Sequence, residues 1–73
     1  MENKSIRDRA VSFAESVIMR ATDWQEVQHA LGDHDEFGPW LDREYGDDAI
    51  SAAQSIINDA ENRLGDKMPA AYG

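Results

Sequence analysis

Two segments of this chain, residues 5–21 and 49–64, carry apolar side chains at the spacing of an α-helix. The apolar positions are Ile6, Ala10, Phe13, Ala14, Val17, Ile18 and Ala21 in the first segment, and Ala49, Ile50, Ala53, Ile56, Ile57, Ala60 and Leu64 in the second. Steps of three and four residues place such side chains on one face of a helix. The sequence therefore predicts two amphipathic helices, and it shows no alternation that would predict a β-strand.

The ends of these two helices carry capping residues. Ser5 followed by Asp8 is typical of a helix start, and Asp47 is placed to cap the second helix. Gly65 stands where that helix is expected to end, because glycine readily adopts the left-handed conformation that terminates many helices.

Shorter elements are predicted between the two helices. Thr22 and Gln25 have capping-box spacing and predict a helix that ends at Gly32. Two glycines, one proline and three acids predict a loop over residues 32–39. Residues 40–45 then predict a short helix, with Pro39 at its first helical position.

The predicted fold class is all-α, a small helical bundle of two long amphipathic helices and one or two short ones. Residues 1–65 are expected to form a single domain around Phe13, Trp24, Trp40 and the isoleucines, and residues 66–73 a flexible tail. Leu, Ile, Val and Phe number only 13 of the 73 residues, and a chain of this size hides only about 60% of its unfolded surface. We therefore expect marginal stability, or support from a homodimer or a partner.

Negative charge is concentrated in the middle of the chain. The net charge is −8, and residues 22–48 contain nine acids and one base, Arg43. Residues 1–21 carry four bases and three acids, and residues 49–73 carry two bases and three acids, so the flanking segments nearly balance. The nine central acids are Asp23, Glu26, Asp33, Asp35, Glu36, Asp42, Glu44, Asp47 and Asp48.

This concentration of acids has two interpretations. One is a solvated face that keeps a small core soluble. The other is a surface that docks on a basic protein, at a site that normally binds nucleic acid. As a helix the 27 residues would span about 40 Å, along which one DNA strand carries about 12 charges. The second interpretation predicts a partner-binding site of the nine acids and Trp40, with Tyr45 and Phe37 as further aromatic anchors.

Several other classes of protein are not expected. The chain has no cysteine, which removes disulfides and thiolate chemistry and is compatible with the cytoplasm. The longest apolar run, residues 17–19, is far too short to cross a membrane. Because the sequence has no nucleophile elbow and no phosphate-binding loop, we expect no catalytic residues and no cofactor. Seven scattered bases do not predict direct nucleic-acid binding.

A degenerate calcium-binding module is an alternative. Counting Asp33 as position one places Asp35 at three, Gly38 at six and Glu44 at twelve, as in the EF-hand loop. Phe37 occupies position five, where that loop needs an oxygen ligand. The pattern therefore predicts, at most, an incomplete set of calcium ligands over residues 33–44.

The two histidines are not expected to bind a metal. His29 and His34 are five residues apart and lie on either side of a predicted helix end. They do not share a helical face in the way that ligands four residues apart would. We interpret each as a surface histidine.

The segment Asn62–Pro69 resembles the corresponding stretch of the Hha/YmoA family, small helical modulators that bind nucleoid-associated proteins. The family's charged helical signature is absent where residues 54–56 stand, so no residue role is carried over. The resemblance implies a second alternative, a transcription-modulating adaptor that binds a nucleoid-associated or regulatory protein through an apolar helix face. In size, acidity and lack of cysteine the chain is also similar to phage inhibitors of bacterial defence, including DNA mimics and anti-CRISPR proteins.

Overall fold

A computed structural model describes residues 5–72 of the chain. Residues 1–4 and Gly73, which belong to the predicted domain and the predicted tail respectively, lie outside the described residues. Within the described range the chain forms helices and no strand, so the predicted all-α class is confirmed. The helices are α1 (Ile6–Ile18), α2 (Trp24–Asp33), α3 (Phe37–Tyr45) and α4 (Ala49–Leu64), with 3-10 turns at Gly46–Asp48 and Gly65–Lys67.

The first helix begins as predicted. The Ser5 side chain accepts a hydrogen bond from the main-chain N–H of Asp8 at 3.1 Å. The start of α2 is one residue later than the predicted capping box, because Asp23 and not Thr22 accepts from the main-chain N–H of Glu26, at 3.1 Å. Thr22 instead donates its hydroxyl and its main-chain N–H to the Glu26 carboxylate. Both helices thus begin with a side chain that satisfies an otherwise unpaired N–H.

The prediction of a loop over residues 32–39 is wrong, because only residues 34–36 of this segment lie outside helices. Helix α2 continues through Gly32 to Asp33, and α3 begins at Phe37, so Pro39 is the third residue of α3 and not its first. The imidazole of His34 accounts for the early start of α3. Its Nδ1 accepts hydrogen bonds from the main-chain N–H groups of Glu36 at 3.0 Å and Phe37 at 3.2 Å. A helix cap from a histidine ring has no sequence signature comparable with that of Ser, Thr, Asp or Asn.

The last helix differs from expectation at its start and agrees at its end. Asp47 does not cap it, because Gly46–Asp48 form a 3-10 turn and Asp48 precedes α4 without a side-chain capping bond. Gly65 ends α4 with a φ of 51°, in the backbone region that favours glycine. The predicted C-terminal boundary of α4 is therefore confirmed.

The core lies between α1 and α4, with α2 and α3 packed against each other and against α4. Its largest fully buried side chains are Ile18, Leu31, Ile56, Val11 and Val27. Trp40 is in the core at 7% exposure, and Phe13 is partly buried against it. The prediction that Trp24 and Ile50 belong to the core is wrong, because Trp24 is 40% exposed and Ile50 is 59% exposed. Both lie at the N-terminal ends of their helices.

The segment predicted as a flexible tail contains one residue that contacts the bundle. Tyr72 is partly buried against the core, and its hydroxyl donates a hydrogen bond to Oε2 of Glu61 at 2.5 Å. Residues 65–67 continue α4 as a single 3-10 turn. Among the described residues, no helix is long and apolar enough to cross a membrane.

Candidate interaction surface

Ion pairs join α1 to α4. The guanidinium of Arg7 lies 2.7 Å from Oδ2 of Asp59 and also donates to the Ser55 hydroxyl at 3.0 Å. The guanidinium of Arg63 lies between Asp8 and Glu15, at 3.5 and 3.7 Å. The two arginines are thus occupied by acids of the flanking segments, and they do not neutralise the central acids.

One central acid is neutralised by α1. Arg9 and Glu36 form a bidentate ion pair, in which the Nη1–Oε1 and Nη2–Oε2 distances are both 2.8 Å. Both side chains are between 40% and 50% exposed, so the pair contributes modestly to stability. Its main effect on the surface is to remove Glu36 from the acids that are open to a partner.

Two further central acids are used at the start of α2. Asp23 is the N-cap of this helix, and Glu26 accepts hydrogen bonds from Thr22. Negative charge at a helix N-terminus is stabilised by the helix dipole. Asp23 and Glu26, predicted as partner-binding residues, therefore have a structural role that accounts for them without a partner.

The other six central acids form no ion pair within residues 5–72. All six are exposed, and we refer to them as the unpaired acids. Arg43 is exposed among them and is likewise without an ion pair in the described part of the chain. The unpaired acids are Asp33, Asp35, Asp42, Glu44, Asp47 and Asp48. They follow one another from the end of α2, through α3, to the start of α4.

Two of the unpaired acids lie in the last turns of helices. Asp33 is the last residue of α2, and this helix has no basic residue in its last turn. Glu44 is in the last turn of α3, which also contains the base Arg43. The C-terminus of a helix carries partial negative charge, so an acid there is unfavourable by about 0.3–1 kcal/mol at low ionic strength. Asp47 and Asp48, by contrast, precede the N-terminus of α4, where negative charge is favourable.

The aromatic side chains of the acidic segment differ in accessibility. Trp40 and Phe37, predicted as partner contacts, are 7% and 4% exposed and belong to the core. Tyr45 is 36% exposed and packs edge-on against Trp40, with ring centroids 5.6 Å apart. Among the three aromatic candidates, Tyr45 is the one that offers an accessible surface next to the acids.

A small groove lies between α2, α3 and α4 beside these acids. It has a volume of about 170 Å³, and its walls include Leu41, Asp42, Ile50 and Ala53. Its backbone floor is formed where Gly32 of α2 meets Gly38 of α3. A Cβ atom on Gly38 would overlap the carbonyl oxygen of Gly32 and lie 3.0 Å from its carbonyl carbon. The two helices can approach this closely only because Gly38 has no side chain.

A second, wider groove lies on the outer face of α4. Its volume is about 560 Å³, and it is bordered by the exposed ring of Trp24 and by Gln54, Asn58 and Glu61. Residues 49–58 contain no charged side chain. In this groove the exposed ring of Trp24 meets neutral polar side chains and one acid, Glu61.

Tyr72 lies at one end of the surface that carries Glu61. Burial of the hydroxyl, its hydrogen bond to Glu61 and the negative charges of Glu61 and Asp23 all raise the pKa of Tyr72 well above its ordinary value. Each of these causes favours the neutral phenol. The hydroxyl is therefore a stable donor to Glu61 at neutral pH, and it is not placed to act as a base.

Most of the segment predicted as an incomplete calcium-binding loop, residues 33–44, is helical. Positions five to twelve of the counted pattern, residues 37–44, are helical. Within residues 5–72 no three His, Asp or Glu side chains are grouped closely enough to hold a metal ion. In an EF-hand most ligands come from a non-helical loop that wraps around the ion, so Asp33 and Glu44 are not arranged as calcium ligands.

Two features of this surface are absent from the sequence predictions. The sequence does not predict the small groove, because Gly32 and Gly38 fall in the segment that it predicts as a loop. The exposure of Trp24 was missed because a tryptophan on an apolar stripe is more often buried.

No protein family, curated protein or solved structure matches this chain at a significant level. The function is therefore inferred from the charges and the two grooves described above.

Proposed function

We propose that this chain is a non-enzymatic binding protein whose unpaired acids occupy a basic, normally nucleic-acid-binding site on another protein. The observation that supports this proposal best is the distribution of ion pairs. Arg7, Arg9 and Arg63 pair with acids at the α1–α4 face or with Glu36. The six unpaired acids are exposed and form no ion pair within residues 5–72, and Arg43 is the one base among them, so a partner can supply positive charge.

The positions of Asp33 and Glu44 also support the proposal. An acid at a helix C-terminus lowers stability, and the small core of this chain leaves little stability to lose. Proteins commonly retain locally unfavourable residues where a function requires them. Placement of two acids against the helix dipole therefore favours a binding role over simple solvation, which acids elsewhere on the surface would provide equally well.

The size of the molecule is compatible with imitation of a nucleic-acid strand. The bundle measures 34 × 33 × 18 Å. One DNA strand carries about one charge per 3.4 Å, or about ten over the longest dimension. The six unpaired carboxylates offer charge of the same order. They would pair with Arg and Lys side chains of the target, which increases the association rate and the selectivity of binding.

The experiment compares two charge-matched variants in capture from an extract of the native host. The test variant carries Asp33→Asn, Asp35→Asn, Asp42→Asn and Glu44→Gln. The control variant carries Asp8→Asn, Glu15→Gln, Asp59→Asn and Asp66→Asn, so both lose the same formal charge.

We expect the wild type and the control variant to capture a basic nucleic-acid-binding protein and to release its nucleic acid, and the test variant to do neither. Binding should weaken steeply as salt rises from about 50 to about 500 mM. Retention of binding by a correctly folded test variant would refute the proposal.

The wider groove favours a second candidate function, that of an adaptor that binds a regulatory protein through a surface of low charge. Interfaces are enriched in tryptophan and depleted of charge at their centre. The groove has the exposed Trp24 and, apart from Glu61, only uncharged lining residues. Binding through this surface should be lost in Trp24→Ala and should respond little to salt. The two candidates therefore give opposite results in the same salt series.

Two expectations from the sequence belong with this proposal and remain predictions. The first is a site of action in the cytoplasm. The second is a homodimer, which sedimentation of the purified chain over a wide concentration range would reveal as a rise in mass. A dimer formed through the acidic segment would be opposed by like charge, so we expect any self-association to leave the unpaired acids exposed.

A further inference from the structure

The small groove between α2, α3 and α4 combines apolar and polar lining residues. Leu41, Ile50 and Ala53 contribute apolar walls, and Ile50 is 59% exposed. Gln28 is a neutral polar lining residue, and Asp42 is the one charged side chain among the lining residues. The sequence neighbours of lining residues include two more unpaired acids, Asp33 and Asp48, and one base, Arg43.

We infer that this groove binds one apolar side chain presented by a basic segment of the target protein. The inference rests on the proposed function and adds to it the contact that determines how long the complex lasts. The occupant is identified by charge complementarity. A segment that inserts a side chain here passes next to Asp42, so a positive residue beside the inserted side chain would meet an unpaired acid.

The dimensions of the groove agree with a single side chain. Pockets for drug-sized molecules measure about 300–1,000 Å³, whereas this groove measures about 170 Å³. An aliphatic side chain that enters it would also cover Ile50, which is the most exposed of the large apolar side chains in the described residues. Full burial of such a side chain increases affinity about ten- to a hundredfold.

Gly32 provides a way to close the groove without disturbing the bundle. A Cβ atom on Gly32 would meet nothing within 4 Å, so a side chain there extends into open space above the groove floor. Glutamine is a good helix former and is uncharged. The variant Gly32→Gln should therefore remain folded, keep every unpaired acid and obstruct the groove, while Gly32→Ala adds only a methyl group and serves as its control.

The test is an NMR titration of the full-length ¹⁵N-labelled chain with two synthetic peptides. Both peptides consist of arginines and lysines around one central residue, which is leucine in the first and serine in the second. We expect the leucine peptide to bind at least about tenfold more tightly, with the largest amide shifts at Gly32, Gly38 and Ala53. Gly32→Gln and Ile50→Ser should each remove this preference, and Gly32→Ala should retain it.

The possible outcomes separate this inference from the proposed function. Equal affinity for both peptides, with binding that depends on salt and on the unpaired acids, would overturn the inference that the groove binds an apolar side chain. It would not contradict the proposed function. Binding of neither peptide would contradict both. Shifts at Gly32 and Gly38 that grow with protein concentration without peptide would assign the groove to a second copy of this chain, and so would also overturn the inference.

Discussion

The imidazole ring of His34 stacks on the ring of Phe37, with centroids 4.2 Å apart and an interplanar angle of 24°. The other neighbour of the imidazole is Phe13 of α1, whose ring meets it edge-on at 4.7 Å. Its Nδ1 also accepts the main-chain N–H groups of Glu36 and Phe37 at the start of α3. The His34 ring therefore links the α2–α3 junction to α1.

Replacement of His34 tests this role. His34→Ala removes both the capping bonds and the ring contacts, so we expect the free energy of unfolding to fall by about 1–2 kcal/mol. His34→Asn retains an acceptor near the same position and should lose less. The exposed His29→Ala in α2 is the matched control. Urea denaturation followed by circular dichroism measures all three, and equal stabilities for the alanine variants at the two histidines would contradict the proposed role of His34.

The glycine contact between α2 and α3 predicts opposite effects for two identical substitutions. Gly38→Ala forces a methyl group into the Gly32 carbonyl, so the helices must separate, at a cost of about 1–3 kcal/mol. Gly32→Ala meets open space in the last turn of α2 and should raise stability by up to about 1 kcal/mol. Thermal unfolding of the two variants checks the difference. A neutral Gly38→Ala would show that the close approach is not required.

The acids at helix C-termini predict a stabilisation by neutral substitutions. Asp33→Asn and Glu44→Gln should each raise the free energy of unfolding by about 0.3–1 kcal/mol at low ionic strength. The gain should shrink as salt screens the helix dipole. Asp23→Ala, at the opposite end of α2, should instead lose about 1 kcal/mol because it removes a cap. Urea denaturation at low and high salt measures the gain in stability expected for Asp33→Asn and Glu44→Gln and the loss expected for Asp23→Ala. A loss of stability in Asp33→Asn would contradict the role assigned to the helix dipole.

Tyr72 predicts a dependence of stability on alkaline pH. The folded state raises the pKa of Tyr72, whereas in the unfolded chain this phenol ionises at about pH 10. The contribution of Tyr72 is therefore fully present below about pH 10 and is lost as pH rises above that value. We expect Tyr72→Phe to be less stable than the wild type at pH 8 and to show a weaker decline between about pH 9.5 and 11. Parallel stability curves for the two proteins would rule out this contribution.

The sequence predicted those parts of the fold that depend on local patterns. Helices α1 and α4 follow from the spacing of apolar residues such as Ile18 and Ile56. The boundaries at Ser5 and Gly65 follow from capping chemistry. The α2–α3 junction could not be predicted in this way. It depends on a ring from His34 that contacts Phe13, twenty-one residues away in the chain, and such contacts exist only once the helices have packed.

The same distinction holds for the candidate surface. Counting charges located the acidic segment, but a count does not show which acids already have partners. Glu36 is paired with Arg9 across 27 residues, and Asp23 is used as a cap, whereas the carboxylate of Asp42 forms no ion pair among the described residues. The groove requires the crossing of two helices at a glycine, which the sequence does not reveal.

The contrast between the two tryptophans gives this small chain separate optical reporters for folding and for docking. An indole in the bundle interior, as at Trp40, emits at shorter wavelength and is shielded from acrylamide, whereas the solvent-facing indole of Trp24 emits at longer wavelength and is quenched. A ligand seated on the outer face of α4 would therefore change the red part of the fluorescence spectrum alone. Loss of the bundle would shift the blue part, so one spectrum distinguishes a bound protein from an unfolded one without any label.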